Sequence, residues 1–345
     1  MRSPDRERKM RSQTAPPKPR KFPPKPHPMP TAPQYFISCD WGTTNFRLRT
    51  VETTTGRVTH QQATTEGIRR TNQRFLAAGV GDRFAFFAQY LTEQLDHLPA
   101  DYQDALVVAS GMSSSNIGMY ELPYAELPLD ADGTRLIHQR LKLQGDRSLL
   151  LISGLRSTDS IMRGEEVQAL GLMDRLQPFG DGTLILPGTH SKHLRYENGL
   201  FTSFSTYMTG ELFELLASTS ILAGSVAVAP FNPSVEAAFH AGVDRAQSGS
   251  LGRHLFTVRV RQVLEDRDPA DNYFYLSGLL IGEELREAAA GHGMVYLAAP
   301  DPVYSLYRTA LMRLLSPDRV RCFDGAALES ALLSGQTKLL LQHVG

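Results

Sequence analysis

Residues 34–49, QYFISCDWGTTNFRLR, join an apolar strand to an Asp-x-Gly-Thr-Thr turn and then to an alternating strand. Such a turn suits a nucleotide phosphate, because backbone N–H groups around Gly42 can face phosphate oxygens while the hydroxyls of Thr43 and Thr44 add donors. Asp40 is placed to hold a divalent cation, usually through water. The segment therefore predicts phosphoryl chemistry.

A later segment repeats this organisation. Residues 183–187 are another apolar run, residues 188–192 (GTHSK) form a second turn, and residues 192–204 are typical of a hairpin. When the two segments are aligned, Gly42-Thr43 matches Gly188-Thr189 and Leu48-Arg49 matches Leu194-Arg195. The repeat predicts a duplicated nucleotide-binding unit. The alternative is that both are ordinary tight hairpin turns that need glycine, with threonine present for its β propensity.

Length and composition indicate a globular protein of two domains. The chain has 345 residues, of which 41% are hydrophobic, enough for two cores. No apolar run approaches the roughly 18 residues that a membrane span needs, so no membrane contact is expected. Cys39 and Cys322 lie far apart without a metal-ligand pattern. We expect both to be small buried hydrophobes in a reducing cytosol, which predicts a cytoplasmic protein.

The zero net charge hides a basic, proline-rich tail. Residues 1–33 hold nine Lys or Arg against two Asp or Glu, and ten of the 21 prolines. A segment so poor in apolar residues cannot form a core, so it is predicted to be disordered. Nucleic-acid binding is one function that the tail allows, but no nucleic-acid partner is expected.

The remaining chain predicts an α/β fold of two domains, residues 34–175 and 176–345, each opening with a β-β-β unit and facing the other across a cleft. Three strands are expected between residues 35 and 58, and the others at 105–109, 148–152, 294–299 and 319–323. Helices are expected at 82–97, from about 165, and at 210–218, 233–246, 251–264, 273–290 and 302–315.

Phosphoryl transfer also needs a base for the acceptor hydroxyl. The carboxylates that precede or open a helix are Asp159, Glu165 and Glu166, and Glu165 follows Gly164 where backbone amides favour an ionised carboxylate. A glutamate in a first helical turn is also a routine stabilising choice.

Other polar side chains are candidates for the acceptor and for the phosphates. The cluster Ser113, Ser115 and Asn116 suits a polyhydroxylated ligand, although a solvated loop has the same composition. Arg163 can grip a carboxylate or phosphate in forked geometry, or form a surface ion pair. His190 and Lys192 lie in the second turn. The HExxH, Walker A and Gly-x-Gly-x-x-Gly motifs are absent from the sequence.

Seven motifs occur in order along the chain: DWGTTN (40–45), GM with SN (111–116), ELPY (121–124), MRGEE (162–166), LPGTHSK (186–192), MTGELF (208–213) and YLSGLLIG (275–282). Together they resemble the 2-dehydro-3-deoxygalactonokinase family of the actin-like ATPase superfamily. The resemblance covers residue 34 to the C-terminus and implies two actin-like, ribonuclease H-like domains. It also implies phosphorylation of the 6-hydroxyl of 2-dehydro-3-deoxy-D-galactonate with ATP and Mg²⁺.

The resemblance assigns roles residue by residue. Related sugar kinases place their base in a Gly-Asp-Gln at a helix start, where this chain has 164–166, so Glu165 is preferred and Asp159 is the reserve. Asp40 would organise Mg²⁺, and residues 188–191 would hold the β- and γ-phosphates. Gly111 falls in the acceptor motif. Gly278, Gly282 and Ala299 would flank adenosine, with Ala299 standing where the family usually has glycine.

Two rival functions stay open at this point. One is a kinase of the same fold that acts on another sugar or sugar acid, with specificity in residues 111–128. The other is a nonenzymatic ATP-binding regulator that uses the basic tail to touch DNA in a salt-dependent way. A homodimer is also possible.

Overall fold

The computed structural model describes residues 32–79 and 81–343. The predicted disorder of the tail therefore concerns residues that lie almost wholly outside this part of the chain. None of the described helices is long and apolar enough to cross a membrane.

The N-terminal half is built on a mixed sheet that begins with an antiparallel β-β-β unit. Its strands are β1 (Tyr35–Trp41), β2 (Phe46–Glu52), β3 (Val58–Thr64), β4 (Val107–Gly111), β5 (Ala125–Glu126), β6 (His138–Lys142), β7 (Ser148–Ile152), β8 (Leu155–Arg156) and β9 (Ile161–Met162). Its helices are α1 (Ile68–Ala78), α2 (Arg83–Asp96) and α3 (Glu165–Leu176). The main sheet has the order β3-β2-β1-β4-β7-β6, and β5, β8 and β9 form a small separate sheet.

The C-terminal half repeats the opening unit. Its strands are β10 (Gly182–Leu186), β11 (Ser191–Glu197), β12 (Leu200–Tyr207), β13 (Met294–Ala298) and β14 (Val320–Phe323). Its helices are α4 (Thr209–Ser218), α5 (Pro233–Ala246), α6 (Leu251–Glu265), α7 (Pro269–Ala290), α8 (Val303–Leu314) and α9 (Gly325–His343). The strand order β12-β11-β10-β13-β14 matches β3-β2-β1-β4-β7 of the first half, with the same antiparallel and parallel pairings.

Alternation along β1 explains how the N-terminal sheet is covered on both faces. Phe36 joins the core shared with α3 and α9, whereas Ile37, Cys39 and Trp41 face the layer that contains α2. The predicted stripe of α2 is buried at Leu91 and Leu95, as a core-facing helix requires. The sheet of the first half thus carries helices on both faces, with α2 on one face and α3 on the face that shares a core with the second half.

The two halves share a core around α3 and α9. Close approach of these helices depends on glycine: a Cβ at Gly171 would lie 1.8 Å from the carbonyl oxygen of Ala331, and one at Gly335 would lie 2.1 Å from that of Val167. Helix α9 therefore returns from the C-terminal sheet to pack on the N-terminal half. The predicted division into residues 34–175 and 176–345 stays a prediction.

The duplicated sheets, each opened by a β-β-β unit and facing the other around α3 and α9, form the predicted actin-like, ribonuclease H-like fold. Most of the predicted elements are present with ends shifted by one or two residues. Helix α7 begins four residues earlier than expected, and β3 begins at residue 58, where the third strand was expected to end. Helices α1 and α9, strand β6 and the small sheet were not predicted.

Candidate active site

The two turns line one cleft between the halves. The cleft has a volume of about 440 Å³, and both Gly42 and Gly188 contribute to its wall. Its lining is completed by Thr43, Met112, Tyr124, Ile161, Met162, Arg163, Glu165, Gln168, Leu186, Pro187, Thr189, His190, Lys192, Ala298 and Leu328. The fold therefore brings together most of the residues that the sequence predicts for phosphate binding.

The first turn is clamped to the start of α1. The backbone N–H groups of Ile68 and Arg69 donate to the carbonyl oxygens of Gly42 (2.9 Å) and Thr43 (3.1 Å). Gly67 allows this approach, because a Cβ there would lie 2.3 Å from the carbonyl carbon of Thr44. Helix α1 thus satisfies its first donors with the turn, which fixes the turn's carbonyl groups on the side of the helix.

Asp40 stands at the carboxyl end of β1, beside the first turn. Burial raises the pKa of its carboxyl group, and Arg47 and Arg49 oppose the rise. Within residues 32–79 and 81–343, no three His, Cys, Asp or Glu side chains gather as a metal cluster. A single carboxylate still suits Mg²⁺, which commonly binds through one or two carboxylates, waters and substrate phosphates.

The second turn rests on the start of α4. The N–H of Glu211 donates to the carbonyl oxygen of Thr189 (3.1 Å), and the N–H of Gly188 donates to Ser191 Oγ (3.3 Å). A Cβ at Gly210 would lie 2.5 Å from the carbonyl oxygen of Gly188. The turn and the helix are therefore in direct backbone contact, and glycine at 210 is the condition for it.

Glu165 and Lys192 meet across the cleft from opposite halves. Glu165 opens α3, and its Oε1 lies 3.5 Å from Lys192 Nζ. Its other oxygen accepts from the backbone N–H of Arg163 (3.1 Å). Lys192 is only 4% exposed and also donates to the carbonyl oxygen of His190 (2.8 Å). A carboxylate and an ammonium group thus face the same space as the two turns.

Glu166 has a different environment from its neighbour. It is fully buried, and both carboxylate oxygens accept from the backbone N–H of Gly164 at 2.8 and 2.7 Å. Burial, together with the charge of Glu165, raises the pKa of Glu166 to about 8. Because its oxygens turn back to the helix start, Glu166 is placed to cap α3 rather than to reach a ligand.

Arg163 is held by the serine-rich loop. Its Nη1 donates to the carbonyl oxygen and to Oγ of Ser114, both at 2.6 Å, and its Nη2 donates to the carbonyl oxygen of Leu122 (3.2 Å). The guanidinium carbon lies 4.2 Å from the ring centre of Tyr124. The side chain is therefore fixed at the wall of the cleft.

Some predicted ligand residues do not line the cleft. Ser113 and Ser115 are buried, and their hydroxyls donate to backbone carbonyl oxygens three residues earlier. Asn116 and Thr44 are exposed to solvent. Asp159 is also exposed and accepts from the hydroxyl of Ser157 (3.2 Å). The loop composition was read correctly as polar, but its hydroxyls stabilise the loop itself.

Gly111 lies between the two site segments. It has a φ of 86°, and a Cβ there would lie 3.1 Å from the carbonyl oxygen of Trp41 and 3.8 Å from Asp40 Oδ1. Gly164 approaches it from the other side, with its own virtual Cβ 3.2 Å from the Cα of Gly111. The absence of side chains here lets the start of α3 come close to Asp40.

A second cavity of about 210 Å³ adjoins the phosphate turns at Gly188 and is mainly apolar. It is lined also by Thr209, Gly210, Phe213, Tyr273, Ser277, Leu280, Ile281, Pro302, Val303, Leu306 and Tyr307. An apolar cavity beside the second turn suits a nucleoside. Several of these residues sit next to the predicted glycines on α7, but the sequence did not show which face of that helix meets the cavity.

The three residues predicted to flank adenosine line neither cavity. A Cβ at Gly278 would lie 2.2 Å from the carbonyl oxygen of Phe239, and one at Gly282 would lie 2.9 Å from Val243. Both glycines therefore serve the contact of α7 with α5. Ala299 is fully buried in the core behind β13. The adenosine role of these three residues stays a prediction, although other residues of α7 do line the apolar cavity.

Two phosphate-type turns, a cross-cleft carboxylate and an adjacent apolar cavity on a duplicated actin-like fold define the class of an ATP-dependent kinase. Comparison with known proteins narrows this class. The model of the 2-keto-3-deoxy-galactonokinase family matches residues 40–333, and the chain belongs to that family.

Individual relatives agree with the family. The chain is 34% identical over 291 residues to a Rhizobium meliloti (strain 1021) protein named a probable 2-dehydro-3-deoxygalactonokinase, covering 81% of this chain and 90% of the relative. It is 28% identical over 287 residues to the 2-dehydro-3-deoxygalactonokinase of Escherichia coli (strain K12), with the same coverage. A Sinorhizobium meliloti crystal structure provisionally described with this activity superimposes with a TM-score of 0.73 at 32% identity, covering 88% of this chain and 96% of the other.

Proposed function

We propose that the protein phosphorylates the 6-hydroxyl of 2-dehydro-3-deoxy-D-galactonate with ATP, forming 2-dehydro-3-deoxy-6-phosphogalactonate and ADP, in the breakdown of galactonate in the cytoplasm. The observation that carries this proposal is the convergence of both turns, Glu165 and Lys192 on one cleft. Membership of the galactonokinase family supports the choice of acceptor.

ATP would lie across the junction of the two cavities. The nucleoside would enter the apolar cavity, and the triphosphate would extend past Gly188 toward Gly42, since Gly188 borders both spaces. Among the described residues, the backbone N–H groups of Thr189 and His190 have no hydrogen-bond partner, so they are available as phosphate donors. The ammonium group of Lys192 would add a charge near the γ-phosphate.

Mg²⁺ would be held at Asp40, which stands in β1 beside the first turn although it is not among the residues that line the cleft. When bound, it would neutralise part of the phosphate charge that develops during transfer. The carboxyl group of Asp40 has a raised pKa because of burial, so a nearby cation would favour its ionised form.

Glu165 is the proposed base. It would accept the proton of the acceptor hydroxyl as that oxygen bonds to the γ-phosphorus and the bond to the ADP oxygen breaks. Its contact with Lys192 and the N–H of Arg163 keeps the carboxylate oriented toward the cleft. Asp159 is exposed and outside the lining, so the geometry favours Glu165 over the reserve candidate.

The acceptor would lie on the side of the N-terminal half. Arg163 is the proposed partner of its carboxylate, because the guanidinium group is held rigidly and a fixed fork loses little entropy on binding. Its Nε is buried without a partner among the described residues. Tyr124, Gln168 and Met112 line the same wall and would contact the sugar chain.

A coupled assay of ADP release over a panel of 2-keto-3-deoxy sugar acids tests the proposal. We expect 2-dehydro-3-deoxy-D-galactonate to give the highest kcat/KM and a 6-phosphate product by mass spectrometry. A higher kcat/KM with another sugar or acid would assign the protein to a kinase of different specificity, and no acceptor-dependent ADP release would contradict kinase function. A homodimer stays a prediction that light scattering after gel filtration tests.

A further inference from the structure

A buried chain of hydrogen bonds lies behind the second turn and plays no part in the steps above. Ser191 Oγ, which accepts from the N–H of Gly188, lies 3.2 Å from the hydroxyl of Tyr307. That hydroxyl donates to Glu284 Oε2 at 2.6 Å. Ser191, Tyr307 and Glu284 are 0%, 3% and 2% exposed. The chain therefore connects the turn to α8 and α7 through the protein interior.

The direction of this chain follows from its last member. A carboxylate only accepts hydrogen bonds, and Glu284 Oε1 is already paired with His193 Nε2 at 2.9 Å. The hydroxyl of Tyr307 must therefore donate to Glu284, which leaves its oxygen to accept from Ser191. Ser191 Oγ in turn is left to accept from Gly188. Burial and the charge of Glu284 raise the pKa of Tyr307, so the hydroxyl keeps the proton that the chain requires.

Tyr307 also has a second contact surface. Its side chain lines the apolar cavity together with Gly188, so one residue touches both the proposed nucleoside space and the back of the phosphate turn. The hydroxyl reaches the turn through Ser191, and the residue also lines the cavity. Removal of the hydroxyl alone should thus separate the two contacts.

We propose that Tyr307, oriented by Glu284, is a positioning residue that holds the second turn in the conformation that receives the β- and γ-phosphates. This inference rests on the proposed ATP site. It assigns Tyr307 no contact with a reacting atom, because the hydroxyl acts through Ser191 on the backbone of Gly188.

Titration calorimetry of the full chain with ADP and with AMP tests the proposal, since only ADP carries a β-phosphate. For Tyr307→Phe we expect the Kd of ADP to rise about tenfold, the scale of one lost hydrogen bond, while the Kd of AMP stays within about twofold because the ring is kept. An unchanged ratio of the two Kd values would overturn the inference. If the wild-type protein bound neither nucleotide, the proposed ATP site itself would fall.

Tyr296→Phe is the matched control. Tyr296 is a buried tyrosine of the same half whose hydroxyl donates to the carbonyl oxygens of Gly180 (2.5 Å) and Leu176 (3.5 Å), outside both cavities. We expect it to lower the melting temperature without changing the ratio of the ADP and AMP Kd values. A control that changed the ratio as much as Tyr307→Phe would assign the effect to general loss of stability and overturn the inference.

Ser191→Ala gives a second variant in case Tyr307→Phe does not fold. It should also raise the Kd of ADP selectively. The double variant should raise the Kd of ADP no more than Ser191→Ala alone, because the two residues act in series. A wild-type ratio of the ADP and AMP Kd values in Ser191→Ala, or fully additive losses of ADP affinity in the double variant, would contradict the proposal that Tyr307 acts through Ser191.

Discussion

Gly210→Ala tests whether the second turn must rest on α4. In the structure, a Cβ at this position would lie 2.5 Å from the carbonyl oxygen of Gly188 and 2.8 Å from the Cα of Thr189, whereas ordinary contacts of a Cβ atom begin near 3.4 Å. The turn therefore has to move by about 1 Å, and a shift of that size in an active site is able to lower the rate about a hundredfold. We expect kcat/KM for ATP to fall between about tenfold and a hundredfold.

The assay is ADP release at saturating sugar acid, with the melting temperature measured on the same samples. Gly252→Ala is the control, because Gly252 is likewise the second residue of its helix and nothing lies within 4 Å of its virtual Cβ. Alanine favours a helix by up to about 1 kcal/mol over glycine, so neither helix is weakened intrinsically. A Gly210→Ala enzyme with normal kcat/KM and an unchanged melting temperature would refute the argument that this contact positions the turn.

Three further changes probe the other parts of the site. Glu165→Gln should lower kcat by at least about a hundredfold with the Kd of ADP unchanged, and Asp159→Asn should leave kcat near normal; the reverse pattern in the same assay would make Asp159 the base. Asp40→Asn should raise the Mg²⁺ concentration for half-maximal activity by about tenfold or more, while the melting temperature in EDTA stays nearly unchanged. An unaltered Mg²⁺ titration would count against the metal role. The stabilising contribution of Glu166 is greatest below pH 4.5 and is lost as pH rises toward 8, because its pKa rises from 4.5 to about 8 on folding. Between these two pH values, the free energy of unfolding should fall with pH by up to about 1.4 kcal/mol per pH unit more in the wild type than in Glu166→Gln. Equal slopes of the two proteins in urea titrations at several pH values would disprove the raised pKa.

Much of the fold could be predicted from the sequence because the strongest sequence patterns are local. The β-β-β units follow from alternation around glycine-containing turns, and α2 follows from an apolar stripe with Asp82 as its N-cap. Helix α9 was missed because its buried positions reflect contacts with α3 and with the N-terminal sheet rather than one periodic stripe. For instance, Gln336 donates to the carbonyl oxygen of Val108 and to Ser110 Oγ. Such contacts depend on the tertiary arrangement, which a single sequence does not display.

The site was predictable at its backbone turns and less so at its side chains. The turns at Gly42 and Gly188, which line one cleft, could be located because tight turns between strands favour glycine and this leaves a signal in the sequence. The sequence left two interpretations of the 113–115 loop open, a ligand-binding cluster or an ordinary polar loop, because it does not show whether a serine hydroxyl bonds to its own backbone or faces a substrate. Tyr307 and Glu284 carried no sequence signal, since their relation to Ser191 exists only after α7 and α8 have packed against β11.

A crystal structure with Mg²⁺, a non-hydrolysable ATP analogue and the sugar acid would measure the central claim directly. The account predicts the triphosphate between residues 42–44 and 188–190, with the 6-hydroxyl within about 3 Å of a Glu165 oxygen and the adenine ring in the cavity beside Tyr307. A triphosphate bound outside this cleft, or contacting only one of the two turns, would contradict it.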